Sequence, residues 1–256
     1  MMLGFNGGLL GKKRTTDFSA AKGLWFPNEQ SVARRKNIWP ITGDPIANLF
    51  PILWYDFADE SKVSISDSQI TSVTDKGSLG LNLTKSSTGP AYTTAINGRK
   101  CVDWGAQGHV NFLRNTASIS SIGEIYIVLS TNGVTQFDSF NALVSSTANE
   151  GGAQFRVWCQ GTSIIAATCS DIYVNRLATN STSGLSSPCL IRLKQPNSSP
   201  FASSSGFQLA QDRSYNFNRG WPGFIGEVVV FASVLETNAR TDLENVLAAK
   251  WGLTLP

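Results

Sequence analysis

The chain has 256 residues, of which 41% are hydrophobic and only 15% are charged, against about 25% charged in an average domain. This length fits one sizeable domain with an extension or two small domains, and the ordinary apolar fraction argues against global disorder. No stretch approaches the roughly 18–20 apolar residues that a membrane-spanning helix needs, so we expect no membrane span.

The net charge of +3 is unevenly distributed along the chain. Residues 1–50 hold seven Lys or Arg residues against three acids, a balance of +4, whereas residues 51–256 hold fourteen against fifteen, a balance of −1. A basic segment joined to a nearly neutral body is typical of an arm that meets an acidic partner, and equally of a solvated tail. Composition alone leaves both interpretations open.

Residues 1–50 show no helical or alternating apolar period, and glycines and prolines interrupt them. Large apolar side chains nevertheless recur, and each contributes about 1.5–3 kcal/mol when it is buried. We therefore expect an extended N-terminal docking arm that becomes ordered against other molecules. The side chains predicted to make these contacts are Phe5, Leu9, Leu10, Lys12, Lys13, Arg14, Trp25, Phe26, Arg34, Arg35 and Trp39.

From residue 51 onward, short runs rich in Val, Ile, Phe, Tyr and Trp are separated by turn residues. Such runs predict an all-β, two-sheet jelly-roll sandwich over residues 51–256 rather than a parallel sheet with helices. The predicted strands are 52–57, 100–104, 124–130, 142–146, 154–159, 163–168, 189–193 and 227–231. We expect the tryptophans within these runs to lie in the core, namely Trp54, Trp104 and Trp158.

One C-terminal α-helix is predicted, from Thr237 to Trp251. Gly252 can adopt the left-handed conformation that ends a helix. The apolar side chains of this segment share one face at helical spacing, namely Leu243, Val246, Leu247 and Trp251. A single amphipathic helix must bury that face against another element, so we expect it to close one flank of the sandwich.

Four cysteines and a single histidine, His109, show no metal-ligand spacing, so we expect no zinc site. Four cysteines in a chain of this length also do not indicate a disulfide scaffold. The N-terminus lacks the basic-then-apolar order of a secretory signal, so we expect synthesis in the cytoplasm with reduced thiols.

Three parts of the body carry motifs in a recognisable order. Residues 53–59 read LWYDFAD and are followed by VTDKGSLG at 73–80; GPAY at 89–92 leads to INGRKCVDW at 96–104; and GFIGEVVVF at 223–231 leads to LAAKWG at 247–252. Together they resemble the concanavalin A-like, laminin-G-type lectin and glucanase superfamily over residues 52–255. Val73 stands where that family usually has Trp, and Gly77-Ser78 inverts its Ser-Gly order. The resemblance implies a two-sheet jelly roll with a lectin-like role.

The N-terminal segment has a resemblance of its own. It contains GFNGGLLG at 4–11, GLW at 23–25, NEQS at 28–31, RR at 34–35 and IWP at 38–40. These motifs resemble the start of structural proteins in tailed phages, particularly those of marine cyanobacteria. The resemblance implies a virion component and agrees with the docking arm expected from the residues.

We expect no catalytic residues and no enzymatic activity. The related glucanases place two carboxylates on one strand in a Glu-x-Asp-x-x-Glu pattern, which brings them about 5–5.5 Å apart on one sheet face. That pattern does not occur in this sequence, and His109 lies in a glycine-rich context without a nucleophile elbow. No phosphate-binding glycine loop or dinucleotide motif occurs either. A glycoside hydrolase is therefore the hypothesis with the least support.

Sugar binding needs exposed aromatic rings beside amide and carboxylate groups. One loop offers this combination, with candidate residues Asp212, Tyr215, Asn216, Asn218 and Trp221. The alternative is that Phe217 and Trp221 seal the end of the sandwich. Calcium is the one cofactor considered, flanked by Asp56, Asp59 and Asp75 as in some laminin-G-type members, although their spacing alone does not predict a metal site.

These observations predict a phage virion structural protein, made in the host cytoplasm, that serves as a decoration, neck or tail-fibre component. The arm would anchor an outward-facing jelly roll to other virion proteins and to copies of the same chain. The alternative is a carbohydrate-binding module for host-surface glycans. We expect no nucleic-acid partner, because the excess basic residues are confined to the arm.

Overall fold

In a computed structural model of the chain, the described residues are 44–85, 88–107, 111–147, 155–166, 169, 171–195, 201–203, 205–212 and 219–256. The chain divides into two compact units, residues 1–48 and residues 49–256. Only residues 44–48 of the first unit are described. The predicted contact residues of the arm, from Phe5 to Trp39, therefore lie outside the described residues, as does His109.

The described part of the body contains eighteen strands and one α-helix. The helix is α1 (Thr237–Trp251), and single 3-10 turns lie at Ala47–Leu49, Glu60–Lys62 and Ser183–Leu185. The strands are β1 (Leu53–Asp56), β2 (Val63–Ser66), β3 (Gln69–Val73), β4 (Leu83–Lys85), β5 (Ala91–Ile96), β6 (Arg99–Asp103), β7 (Leu113–Asn115), β8 (Ile119–Ile122), β9 (Glu124–Ser130), β10 (Phe137–Ser145), β11 (Arg156–Gly161), β12 (Ser163–Ala166), β13 (Asp171–Val174), β14 (Leu177–Ala178), β15 (Cys189–Lys194), β16 (Phe201–Ser203), β17 (Phe207–Leu209) and β18 (Phe224–Phe231).

Sixteen strands pair antiparallel in one sheet that folds over the core as two half-sheets, and β8 and β16 form a separate antiparallel pair. The first half-sheet runs β14-β13-β15-β9-β18, with β1 and β6 on the other edge of β18. The second runs β12-β11-β10-β17-β7-β4-β3, with β2 beside β3. Strand β5 joins the halves, because it pairs along β6 and also meets β3 at Gln69 and Ala91. Buried side chains of both halves form one hydrophobic cluster, so the all-β sandwich is confirmed.

The eight strands predicted from the sequence are all present, with shifted ends. Strand β10 begins at Phe137 rather than at residue 142, and β11 begins at Arg156 rather than at 154. Strands β9 and β18 are buried along almost their whole length. An antiparallel strand is buried on both faces only when a second layer covers its outer side. Here that layer is α1.

Helix α1 has the predicted bounds and the predicted terminator, because Gly252 adopts φ +62° and donates its N–H to the Ala248 carbonyl. Leu243, Leu247 and Trp251 are buried, whereas Val246 is half-buried. The Trp251 ring lies directly over β18, where a Cβ at Gly226 would stand 2.6 Å from Trp251 Cη2. This close approach means that the helix can dock only on a glycine.

We predict that Gly226→Ala destabilises the body by about 1–3 kcal/mol, because the added methyl group overpacks a fully buried indole. Urea unfolding of the variant, followed by circular dichroism, measures this loss. In a Trp251→Leu background the same substitution should cost much less, since the colliding ring is gone. An equal cost in both backgrounds would contradict the proposed collision.

Candidate functional site

A row of polar side chains crosses the outer face of the second half-sheet. Their core-facing neighbours are apolar and buried, so the alternation of the strands sends this row outward. The cross-strand pairs are Ser64–Ser72, Ser72–Thr84, Thr84–Arg114, Arg114–Gln208, Gln208–Ser145 and Ser145–Arg156. We refer to these seven residues as the polar row.

The polar row is open at one end and closed at the other. Ser64 and Thr84 are exposed and Arg114 is half-buried, whereas Gln208 and Ser145 are fully buried. The backbone of residues 211–212 covers the closed end. Gln208 Nε2 donates to the Gln211 carbonyl at 3.0 Å and to the Asp212 carbonyl at 3.1 Å, and Ser145 Oγ donates to the Gln211 carbonyl at 2.9 Å. A ligand that approaches the sheet face therefore meets the side of β2, β4 and β7 first.

Beside the closed end lies a cluster of stacked charged and aromatic side chains. Arg156 Nε lies 3.1 Å from Asp212 Oδ1, and Arg219 Nη1 donates to Asp212 Oδ2. The Arg219 guanidinium lies 4.5 Å from the centre of the Phe140 ring, and that of Arg156 lies 5.0 Å from it. The Arg156 guanidinium also covers the Trp158 ring at 4.1 Å. We call Arg156, Arg219, Asp212, Phe140 and Trp158 the arginine stack.

The arginine stack holds two guanidinium groups and a single carboxylate. Asp212 is fully buried and both of its oxygens are engaged, so it compensates charge that would otherwise be costly to bury. The side chain of Arg156 is 8% exposed and that of Arg219 is 25% exposed. The part of the arginine stack that reaches solvent is therefore the side of Arg219.

Phe140 occupies an unusual backbone position in the arginine stack. Its φ is +41°, a left-handed conformation that a bulky side chain rarely adopts. Such a conformation persists only where surrounding contacts determine it. Here the ring lies against Arg156, Arg219 and Trp158, whose ring centre is 5.9 Å away. The contacts of the stack therefore fix the position of Phe140.

A second polar cluster joins β1, β18 and α1. Glu227 is fully buried and accepts hydrogen bonds from Trp54 Nε1 at 2.7 Å and Trp251 Nε1 at 2.6 Å. Lys250 Nζ lies 2.8 Å from Glu227 Oε2 and 2.7 Å from Asp56 Oδ1. Burial raises the pKa of Glu227, Asp56 raises it further, and Lys250 lowers it. These contacts hold the helix to the sheet.

A third cluster lies under the same helix and is also structural. Glu124 Oε2 accepts the Leu235 N–H at 3.0 Å, and Glu124 Oε1 lies 3.5 Å from Arg192 Nη1. Arg176 donates through Nε to Glu244 on α1 at 2.8 Å. Burial raises the pKa of Glu124. The acids beneath the helix thus serve as anchors between α1 and the first half-sheet.

The structure separates the residues that the sequence proposed for glycan binding. Trp221 is fully buried, and its ring stacks on Phe137 with centroids 5.5 Å apart. The expectation that Trp221 presents a ring to a sugar is therefore corrected; it fills the core. Asp212 belongs to the arginine stack, and the loop residues between them, 215, 216 and 218, lie outside the described residues.

The sequence did not indicate the partners of Asp212. Trp158 was expected in the core, but its strand neighbours Val157 and Cys159 face the core and Trp158 lies half-buried on the outer face. Arg156 and Phe140 come from neighbouring strands, and Arg219 from the end of a distant loop. The alternation of side chains along β11 predicts that Arg156 and Trp158 lie on the same face of the sheet. It does not predict which residues of other strands lie beside them.

The described residues do not fit a calcium site. Asp75 accepts backbone N–H groups from Trp54 and Gly77, each at 2.7 Å, so its carboxylate organises a turn. Asp56 and Asp59 both lie beside Lys76 Nζ, at 3.1 and 3.4 Å. Across the described ranges, no group of three or more His, Cys, Asp or Glu side chains is placed to hold a metal ion.

Comparisons of the chain with protein-family models, with curated proteins and with solved structures found no match. The resemblances to concanavalin A-like domains and to phage structural proteins therefore stay predictions. In the part of the chain that the structure describes, no helix has the length and apolar character of a membrane span.

We predict that Asp212→Asn destabilises the body by about 3–5 kcal/mol, because it removes the buried negative charge that Arg156 and Arg219 both contact. Urea unfolding measures the loss. Asp171→Asn is the matched control. It breaks the Lys194–Asp171 pair, whose side chains are 30% and 39% exposed, and such a pair contributes about 0–1 kcal/mol. Similar losses in the two variants would contradict a structural role for the buried pair.

Glu227 provides a second prediction, on pH. The pKa of Glu227 is raised in the folded protein, so folding favours the protonated carboxyl group. This contribution to stability is complete below the unfolded pKa of about 4.3. It is lost as the pH rises through the folded pKa. The stability advantage of the native chain over Glu227→Gln should therefore shrink from pH 4.5 towards pH 8. Urea unfolding across this range measures it, with exposed Glu60→Gln as the control. A growing advantage would mean that Lys250 dominates and lowers the pKa.

Proposed function

We propose that this chain is a structural protein of a phage virion, in which residues 1–50 anchor an outward-facing, lectin-like jelly roll to the capsid, neck or tail. The observation that carries the proposal is the division of the chain. The chain divides into two units between residues 48 and 49, and the first 50 residues carry the whole excess of positive charge. A basic, apolar segment joined to a nearly neutral sandwich is suited to gripping an acidic neighbouring surface.

The body itself is proposed to perform no reaction. Its buried carboxylates support this view, because each makes structural contacts. Glu227 binds two tryptophans and a lysine, Asp212 binds two arginines, and Asp75 binds backbone N–H groups. The hydrogen bonds and ion pairs of such a carboxylate are all made within the fold, which is typical of a structural role.

Two exposed apolar side chains near the start of the body favour a partner there. Phe50 is 81% exposed and Leu79 is 45% exposed. The backbone N–H groups of Ser78 and Leu79 donate to the carbonyls of Pro51 and Ile52, so both side chains lie at one edge of the body. Phe50 also has φ +56°, a conformation that costs free energy for a bulky residue. An aromatic ring held out in this way is suited to contact with another virion protein.

We predict that deletion of residues 1–45 leaves a folded, soluble body that no longer enters particles. Mass spectrometry of purified virions measures incorporation, and circular dichroism checks the fold. In the full-length chain, Trp25→Ser with Trp39→Ser should reduce incorporation, because apolar contacts of the arm are lost. The exposed substitution Leu177→Ser, on β14, is the control and should have no effect. Normal incorporation of the truncated chain would defeat the proposal.

A second function, recognition of host-surface glycans, is favoured by the polar row. Its open end presents Ser64, Thr84 and Arg114 in register on a sheet face whose other side is core. Hydroxyl and guanidinium groups at fixed spacing suit a hydroxyl-rich ligand. A glycan array with the full-length chain tests this function. Thr84→Val and Arg114→Gln should each weaken binding, whereas Arg99→Gln, an exposed substitution on β6, should not; an empty array would remove the proposal.

A further inference from the structure

We propose that Lys250 and Asp56 condense into an amide bond within the folded chain, so that helix α1 is joined covalently to strand β1. The bond forms between the side-chain nitrogen of Lys250 and the side-chain carboxyl carbon of Asp56, and one water molecule leaves. This inference goes beyond the proposed function and does not depend on it. The condensation happens once in each chain and transforms no other molecule, so the proposed lack of enzymatic activity is unaffected.

The two reacting groups are already in contact. Lys250 Nζ lies 2.7 Å from Asp56 Oδ1. The carboxyl carbon is one C–O bond further on, about 1.2 Å, so it lies within about 4 Å of the nitrogen. Reacting atoms held about 3–3.5 Å apart reach effective molarities of about 10⁵–10⁸ M. A small movement therefore brings the pair to a distance at which proximity favours the bond.

The contact lies where the packing of α1 excludes solvent. The side chain of Asp56 is 6% exposed and that of Glu227 is 0% exposed, whereas that of Lys250 is 23% exposed. The indole N–H groups of Trp54 and Trp251 both donate to Glu227, at 2.7 and 2.6 Å. An amide carries no charge, so burial favours it over the ammonium and carboxylate that it replaces. The partial exposure of Lys250 gives the released water a route to solvent.

Glu227 is placed to carry the protons of the reaction. It lies directly opposite Asp56 in the register of β1 and β18, and its Oε2 lies 2.8 Å from Lys250 Nζ. Burial raises the pKa of Glu227 and Asp56 raises it further, whereas Lys250 lowers it. A carboxylate in this position can take up a proton from Lys250 and pass it to Asp56.

The reaction balances within these three side chains and needs no oxidant or reductant. Glu227 takes one proton from the Lys250 ammonium, and the neutral amine attacks the Asp56 carboxyl carbon. The nitrogen then loses a second proton through Glu227. Both protons pass to Asp56 Oδ1, which leaves as water, and Glu227 returns to its initial state. Lys76 Nζ, 3.1 Å from Asp56 Oδ2, stabilises the charge that develops on the oxygen that remains.

The bond joins two distant parts of the chain. Asp56 is the last residue of β1, and Lys250 lies in the last turn of α1. The bond therefore closes residues 56–250 into one loop. A cross-link over a long loop stabilises a fold mainly by restricting the unfolded chain.

Intact mass spectrometry of the full-length chain in denaturant tests the inference. Chain that has been folded and incubated should be lighter than its sequence mass by one water, whereas chain kept in urea from the outset should have the full mass. Trypsin should release one branched peptide, in which Asp56 of residues 37–62 is joined to Lys250 of residues 241–256. A folded native chain of full mass, or a loss of water without this branched peptide, overturns the inference.

Two lysines that both contact Asp56 provide a matched pair of variants. Lys250→Arg keeps a cation beside Asp56 but removes the amine, so the full mass should remain. Lys76→Arg keeps a cation near Oδ2 and should still lose the water. A branched peptide through Lys76 would overturn the proposed bond.

Glu227→Gln tests the proton transfer. The amide cannot take up the Lys250 proton, so the loss of water should slow by about 10²-fold or more. An unchanged rate would overturn the role of Glu227. Circular dichroism checks that each variant is folded, and the mass of the native chain decides the inference if a variant fails to fold.

Discussion

The structure depends on what covers the outer face of each half-sheet. The core of a sandwich buries only one face of every strand, and the other face must be covered by another element or exposed to solvent. The first half-sheet is covered where α1 lies against β15 and β18. The second half-sheet instead carries a polar row across its outer face. This asymmetry leaves exposed polar side chains on the outer face of the second half-sheet.

The packing of α1 on the first half-sheet buries charged side chains between them. Lys250 and Trp251 on α1 meet Glu227 on β18, and Glu244 on α1 meets Arg176. Each buried carboxylate is hydrogen-bonded or paired, which offsets the cost of removing it from water. The same rule governs Asp212 on the other half-sheet, which pairs with Arg156 and Arg219. Buried carboxylates thus stabilise the outer sides of both half-sheets.

The sequence predicts the apolar strands well and the polar strands poorly. Runs such as 124–130 and 227–231 are dense in Ile, Val and Leu, so their burial could be predicted directly. The strands β2, β4 and β5 mix apolar residues with Ser, Thr and Lys, and they are strands because neighbouring strands pair with them. The helix was predicted with its bounds because its face, spacing and terminal glycine are all local signals.

The candidate site could not be assembled from the sequence, because pairing between distant strands creates it. Arg114, Gln208 and Ser145 lie side by side only through the register of β7, β17 and β10. The face of the strand on which a side chain lies matters as much as the position of the strand in the sheet. An aromatic residue in a strand run is expected to be core, yet Trp158 is one residue out of phase with Val157 and Cys159 and lies on the outer face. Trp221, the aromatic residue that the loop composition offered as a ligand platform, is the one that the packing buries.

The two proposed roles depend on each other through copy number. A shallow sheet face with a few exposed polar groups and one accessible guanidinium offers little buried area, so a single body is expected to bind a saccharide weakly. Many copies fixed to one particle raise the effective concentration of the remaining sites after the first contact, and overall avidity can then exceed the single-site affinity by about 10²–10⁴-fold. The proposed arm would therefore strengthen the proposed glycan recognition, because anchoring many copies on one particle would convert a weak and reversible contact into firm adsorption.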